Sequence, residues 1–162
     1  MCDERLILVV GMQKSGTTLI ERLLYQTGAA QPLTDGEGDA FWGNVPPFAP
    51  EADPAGAIYA SHGGARGHTC DAAHATDEIR TLMRRRLEKL MPASGLALNK
   101  NPYNTVRIPW LRALYPSARI VAMVRRPIAN VFSLRKKYVD HDGRGLPPLE
   151  GWWGVRPTGW RD

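Results

Sequence analysis

No stretch of this chain approaches the about 20 consecutive apolar residues of a membrane-spanning helix, so no span is expected. The N-terminus carries Asp3 and Glu4 where a secretory leader has a basic region followed by an apolar run. A cytoplasmic protein is therefore the expectation. Cysteine is scarce: Cys2 and Cys70 lie in polar, loop-like segments, and there is no C-x-x-C. That argues against a disulfide framework and against the usual zinc and redox spacings. Aromatic residues make up only 8% of the chain and do not interleave with basic ones, so nucleic acid is not the expected partner. Acidic residues are outnumbered, 16 against 21 basic, for a net charge of +5. The balance favours an anionic ligand without specifying one. At 162 residues and 43% apolar content, the chain has room for one domain with a real core.

What is present centres on Arg5 to Leu24, which reads as strand, polar turn and helix. Leu6, Ile7, Leu8, Val9 and Val10 form a short apolar run of the kind buried on both faces in a parallel sheet. After the turn, Leu19, Ile20, Leu23 and Leu24 mark one face of a helix. Gly11 and Gly16 bracket a turn that aims backbone N–H groups and the positive end of a helix dipole at one point, an arrangement that binds phosphate. A nucleotide-triphosphatase loop reads G-x-x-x-x-G-K-S/T. Here the glycine spacing is kept, but Lys14 has moved forward into the loop and Thr17 stands where the lysine should be.

Further along, the helix should end near Thr27-Gly28, with Gly28 as its cap. Residues 29–75 are rich in Gly, Ala, Pro and Asp. Short helical turns are expected around Asp39 to Trp42, and little order between Pro50 and His74. From Thr76, a capping residue, the residues Ile79, Leu82, Met83, Leu87, Leu90 and Met91 share a helical face, and Arg84, Arg85 and Arg86 read as a solvated face. Leu96 to Lys100 reads as a second core strand, Asn104 to Tyr115 as a helix, and Arg119 to Val124 as a third strand. Pro127 suits the first turn of a last helix running to about Val139, with Ile128, Val131 and Phe132 as its apolar stripe. Strands alternating with helices predict an α/β fold of the P-loop type, three layers deep, with a central parallel sheet flanked by helices. Ligands of such sheets sit at the carboxyl ends of the strands. The loop after Val10, Lys100 and Arg125 should therefore converge on one crevice.

Arg125 marks a second clamp. Where a nucleotide kinase or ATPase often ends a core strand in a Mg²⁺-holding Asp, this chain has Arg125-Arg126. That makes a metal-free, anion-receiving site. Ser133 follows Arg126 by about two helical turns and faces the same side, so a guanidinium and a hydroxyl can hold one phosphate.

Lys14-Ser15-Gly16-Thr17-Thr18 after a strand resembles the 5′-phosphosulfate loop of sulfotransferases, and R-x-P followed by Ser133 resembles their 3′-phosphate motif. Leu98-Asn99-Lys100-Asn101-Pro102 is similar to the N-K-x-P segment of protein tyrosine sulfotransferases and to the K-x-P-x-N-T segment of related bacterial enzymes. The resemblance covers roughly residues 5–139 and is closer to these than to the cytosolic steroid and phenol enzymes. It implies 3′-phosphoadenosine 5′-phosphosulfate (PAPS) as co-substrate and no metal. Lys14, Ser15, Gly16, Thr17, Thr18, Arg125 and Ser133 would bind the donor. The acceptor would be a small molecule or polymer bearing a hydroxyl or amine.

In the cytosolic enzymes a catalytic His lies two residues after the lysine; here that place holds Pro102. Lys100 would instead neutralise the transferring sulfuryl oxygens. The resemblance to the tyrosine enzymes places the base at Glu37, with Asp35 and Asp39 as competitors and His62, His68 and His74 as outside candidates. The family's adenine-stacking aromatic after T-T is replaced by Leu19, leaving Phe41 or Trp42 as a substitute or as core. A G-x-x-G segment is missing as well. The chain thus divides into a core, residues 1–139, and a Gly/Pro/Trp-rich tail, residues 140–162, containing Trp152, Trp153 and Trp160. The tail is expected to begin a longer C-terminal segment. A P-loop nucleotide kinase or ATPase, or an inactive nucleotide-binding remnant, are the alternatives at this stage.

Overall fold

The structure is a computed structural model that describes residues 2–42 and 70–136. His62, His68, the boundary at residue 139 and the three tryptophans of the tail fall outside the described residues. Strands β1 (Leu6–Val10), β2 (Ala30–Pro32), β3 (Leu96–Lys100) and β4 (Arg119–Ala122) form one sheet in the order β2-β3-β1-β4. All three pairings are parallel. Helices α1 (Thr17–Gln26), α2 (Asp39–Trp42), α3 (Asp77–Leu90), α4 (Ile108–Leu114) and α5 (Pro127–Arg135) connect and cover it. The chain has the expected α/β architecture with a parallel sheet flanked by helices.

Strand β1 explains the layering. Side chains alternate across a strand, and every residue of β1 is buried. Leu6, Leu8 and Val10 enter one core with Met83 and Leu87 of α3 and Trp110 and Leu111 of α4. Ile7 and Val9 enter a second core on the opposite face, where Ile20 and Leu24 of α1 pack. A continuous apolar strand is thus the signature of a layer enclosed on both sides. Since β3 and β4 flank β1, the loop after Val10 sits at the middle of the carboxyl edge.

The larger core is aromatic. Phe41 and Trp42 are fully buried, with ring centroids 4.8 Å apart in an edge-on arrangement, and Trp42 lies 5.4 Å from Trp110. Both are core residues, so neither is placed to stack on a ligand's adenine. Truncating Trp110 to Ala is expected to destabilise the fold by about 3–5 kcal/mol, read as a drop in the urea or thermal midpoint. A loss below about 0.5 kcal/mol would contradict this account of the core.

Several sequence expectations are corrected. The segment expected as a helix from Asn104 divides into a 3-10 turn, Pro102–Val106, and α4. Asn101 caps the turn, accepting from the Tyr103 N–H at 2.9 Å, and the backbone leaves helical geometry at Arg107. Strand β2 was not anticipated: it is three residues long and contains Pro32, tolerable because β2 lies at the sheet edge. Residues Ala72–His74 form a 3-10 turn in a stretch expected to be irregular, held by a reciprocal cap between Asp71 and His74. Leu82 turns out of the core, exposed at 47%. Arg84 and Arg85 are exposed as expected, but Arg86 is half-buried and donates to the Trp42 carbonyl at 2.6 Å. Cys70 is buried in the larger core, where desolvation raises its thiol pKa; both cysteines are free thiols. On α5, Ile128 and Phe132 are 74% and 66% exposed. The helix leaves the sheet from its edge strand β4 and turns Asn130, Ser133 and Leu134 inward instead. Among the described residues, no helix is long and apolar enough to cross a membrane.

Candidate functional site

The loop between β1 and α1 is tightly specified. A Cβ on Gly11 would lie 2.7 Å from Ser15 Oγ and 2.8 Å from the Met123 carbonyl, so a side chain cannot enter without moving backbone. The Gly11 N–H donates to Thr105 Oγ1 at 2.9 Å, tying the loop to the turn after β3. Ser15 N–H donates to the Met12 carbonyl at 3.1 Å, closing the turn. Gly16 is the N-cap of α1, and its carbonyl receives the N–H groups of Leu19 and Ile20 at 3.0 and 3.1 Å. The amides of Lys14, Thr17 and Thr18 make no hydrogen bond within the described residues. These are the orphan donors of a helix start.

Lys14 stands at the crown of this loop with φ of 63°, the left-handed region, and is the one non-glycine residue there among the described residues. Such backbone costs about 1–3 kcal/mol and persists where the surroundings impose it. Its side chain is exposed, while Ser15 and Thr17 are buried. Ser15 Oγ is buried with no hydrogen-bond partner among the described residues, a cost relieved when an anionic oxygen or water accepts its proton.

Strand β4 stops at Ala122, short of the expected Val124, and Arg125, in the segment that follows it, crosses to the loop: its Nη1 donates to the Lys14 carbonyl at 2.9 Å. The two clamps read separately from the sequence are thus joined at Lys14. Ser133 lies half-buried on α5, and Asn130, one turn earlier, is buried with its Oδ1 unpartnered among the described residues. The Arg125 guanidinium and the Ser133 hydroxyl are donors from which a phosphate oxygen can accept, whereas Asn130 Oδ1 is itself an acceptor.

On the other side of the loop, Lys100 ends β3 opposite Val9. Its side chain is buried, not solvated, and its ammonium holds two carboxylates: it hydrogen-bonds Glu37 Oε2 and lies 3.5 Å from Glu21 Oε2. Glu37 opens to solvent, with 37% of its side chain exposed, whereas Glu21 keeps 17%. Burial raises the Glu21 carboxyl pKa; the Lys100 charge opposes that rise and the Glu37 charge adds to it.

The turn bearing Glu37 is bolted to β3. Asn99 Nδ2 donates to the Gly38 carbonyl at 3.1 Å, and Asn104 Nδ2 donates to Asn99 Oδ1 at 3.1 Å. Gly38 has φ of 78°, and a Cβ there would sit 2.4 Å from Asn99 Nδ2. Only glycine lets the turn lie this close. Of the competing bases, Asp35 is exposed and forms no ion pair with Lys100 among the described residues, and His74 is engaged with Asp71 at 2.9 Å. Nothing is described for the Asp39 side chain.

The sequence-predicted residues therefore fall into two groups beside one loop: Lys14, Ser15, Gly16, Thr17, Thr18 and Arg125 on and around the crown, with Ser133 on the helix that follows Arg125; and Lys100 with Glu37 beyond β3. Sequence reasoning missed Glu21, Thr105 and the pair Asn99 and Asn104. Glu21 carried a signal. It adjoins Ile20 and lies one turn before Leu24 on α1, so a carboxylate on the sheet-facing side needed a partner. Among the described residues, no group of three or more His, Cys, Asp and Glu side chains is arranged to hold a metal ion.

No curated protein and no solved structure matches the chain. A family model described as "Sulfotransferase family" matches residues 7–150, a span that includes the loop, Glu37, Lys100, Arg125 and Ser133. The chain belongs to the sulfotransferase family.

Proposed function

We propose that the protein moves a sulfuryl group from PAPS to a hydroxyl or amine acceptor by direct in-line transfer. Family membership supports sulfuryl transfer in general. The observation that carries the finer reading is the hydrogen bond from Arg125 to the Lys14 carbonyl. It brings the guanidinium that follows β4 and the crown of the loop together, as a donor with phosphates at both its 5′ and 3′ positions requires. The loop amides with Lys14 would hold the 5′-phosphosulfate, and Arg125 with Ser133 the 3′-phosphate.

The chain's residues would act as follows. Glu37, the more open carboxylate, takes the proton from the acceptor oxygen or nitrogen as its lone pair attacks sulfur. The bond from sulfur to the 5′-phosphate oxygen breaks, and that oxygen leaves with the electron pair. Lys14 and the loop amides stabilise the charge growing on it, an electrostatic contribution made by groups already in place. Lys100, whose ammonium is directed at two carboxylates, holds Glu37 in position. Any help it gives to the sulfuryl oxygens comes after that role. The products are adenosine 3′,5′-bisphosphate and the sulfated acceptor.

Ligand linkage tests the donor assignment, because only a ligand that the native state binds raises the midpoint. Adenosine 3′,5′-bisphosphate should raise the thermal midpoint, 5′-AMP should raise it less, and the preference should vanish in Arg125→Ala. Stabilisation by ATP with Mg²⁺ alone would refute the reading and favour a nucleotide kinase.

A further inference from the structure

Lys100 presents a chemical difficulty. Glu37 Oε2 is already engaged by the buried Lys100 ammonium, a contact that would fix a structural anion as readily as orient a proton acceptor. Yet Glu37 is the more open carboxylate at this point and the one proposed above to accept the proton. The structure contains a second carboxylate on the same ammonium. Glu21, on the sheet-facing side of α1, reaches Lys100 Nζ at 3.5 Å from the opposite element. One buried cation thus serves two anions.

We propose that Glu21 is a positioning residue for proton transfer: by sharing the Lys100 ammonium, it keeps Glu37 fixed but free to accept a proton. The inference rests on Glu37 as the base. With both carboxylates ionised the trio carries one net negative charge, and uptake of a single proton restores neutrality. Without Glu21 the full charge of Lys100 would act on Glu37 alone. Interacting sites of this kind titrate as a unit. The charged groups acting on Glu21 are Lys100 of β3, Glu37 of the turn before α2, and Arg22 of its own helix. Its placement also fits function better than stability. The carboxyl pKa is raised chiefly by burial, so the folded state holds the Glu21 proton more tightly than the unfolded chain does. That contribution to stability is present at low pH and is lost as pH rises through the folded value.

The coupling can be read without an acceptor, by following the carboxyl carbons of ¹³C-labelled glutamate against pH, with Glu21 assigned by its absence in Glu21→Gln. The Glu21 midpoint should fall in Glu37→Gln, which removes a neighbouring negative charge, and rise in Lys100→Met. A midpoint unchanged in Glu37→Gln overturns the proposal even if Lys100→Met does not fold. Glu21→Gln should melt at or above the wild-type temperature at pH 7; a lower midpoint would make Glu21 a structural anion and overturn the proposal. The catalytic arm uses hydrolysis of ³⁵S-labelled PAPS, with water as acceptor. Glu21→Gln should slow it on the order of tenfold, as neighbours in one network do. KM for the donor should stay unchanged and the acid limb should move to lower pH, with Glu21→Asp recovering part of the rate. A profile superimposable on wild type overturns the proposal. A wild type that binds no adenosine 3′,5′-bisphosphate would overturn the donor assignment instead, and the carboxyl titration would still decide the coupling.

Discussion

Glu37→Gln is expected to slow sulfuryl transfer by about 10²–10⁴-fold, the range that general acid–base groups supply. The substitution keeps the size of the side chain and can still accept a hydrogen bond from Lys100, so the turn held by Asn99 and Gly38 should stay in place. Donor affinity should be nearly unchanged, because the residue lies across the loop from the Arg125 clamp. The loss should fall on kcat, as for an interaction made only in the transition state. Wild-type rates should decline toward acid as the base takes up a proton, and the variant should lack that dependence. Undiminished turnover in Glu37→Gln would remove Glu37 from the mechanism and reopen Asp35 and Asp39.

The second large effect is expected at Lys14. Replacing it by Ala removes the cation that the proposed mechanism places at the bond that breaks and should lower turnover on the order of 10²-fold or more, by analogy with loss of one oxyanion donor. The fold should hardly notice. Lys14 is exposed, and Ala meets the same left-handed backbone requirement as Lys, so stability should change by less than about 0.5 kcal/mol. Turnover measured beside a melting curve separates the two effects. A variant with normal turnover would show that the loop binds an anion without Lys14 taking part in its chemistry.

The parts of the molecule legible in the sequence are those set by local pattern. The run from Leu6 to Val10, the displaced Lys14 and the apolar face of α1 describe strand, loop and helix before any tertiary contact is known. The cap at Thr76, which accepts from the Ile79 N–H at 3.3 Å, likewise fixes where α3 starts. What escaped depended on distant partners. Strand β2 exists because Ala30 to Pro32 find β3 across the sheet, and nothing in three residues with a proline says so. Phe41 and Trp42 had equal claims as ligand wall or core until Trp110 and Tyr115, far along the chain, closed over them. On α5 the apolar residues suggested the buried face, but Ile128, Val131 and Phe132 are exposed and the helix buries Asn130 instead.

The candidate site divides in the same way. Lys14 and Arg125 were marked by their departure from the triphosphatase pattern, because each stands where a different chemistry would place a different residue. Glu37 was located by resemblance, in a D-G-E-G-D run whose ordinary fate is an exposed turn. Its tie to Lys100 depends on Gly38 lying against Asn99, a contact between segments far apart in sequence. Glu21 had its signal in its place beside the apolar stripe of α1, but its partner Lys100 lies far along the chain, so the contact itself was not legible.

The central claim is that the loop from Gly11 to Thr18 holds the 5′-phosphosulfate with Lys14 on the bond that breaks. A crystal structure of the protein with adenosine 3′,5′-bisphosphate tests it most directly. The account predicts the 5′-phosphate within hydrogen-bond distance of the loop amides and of Lys14 Nζ, and the 3′-phosphate on Arg125 and Ser133. A nucleotide bound with its 5′-phosphate away from the loop, or with the 3′-phosphate turned from Arg125, would contradict it.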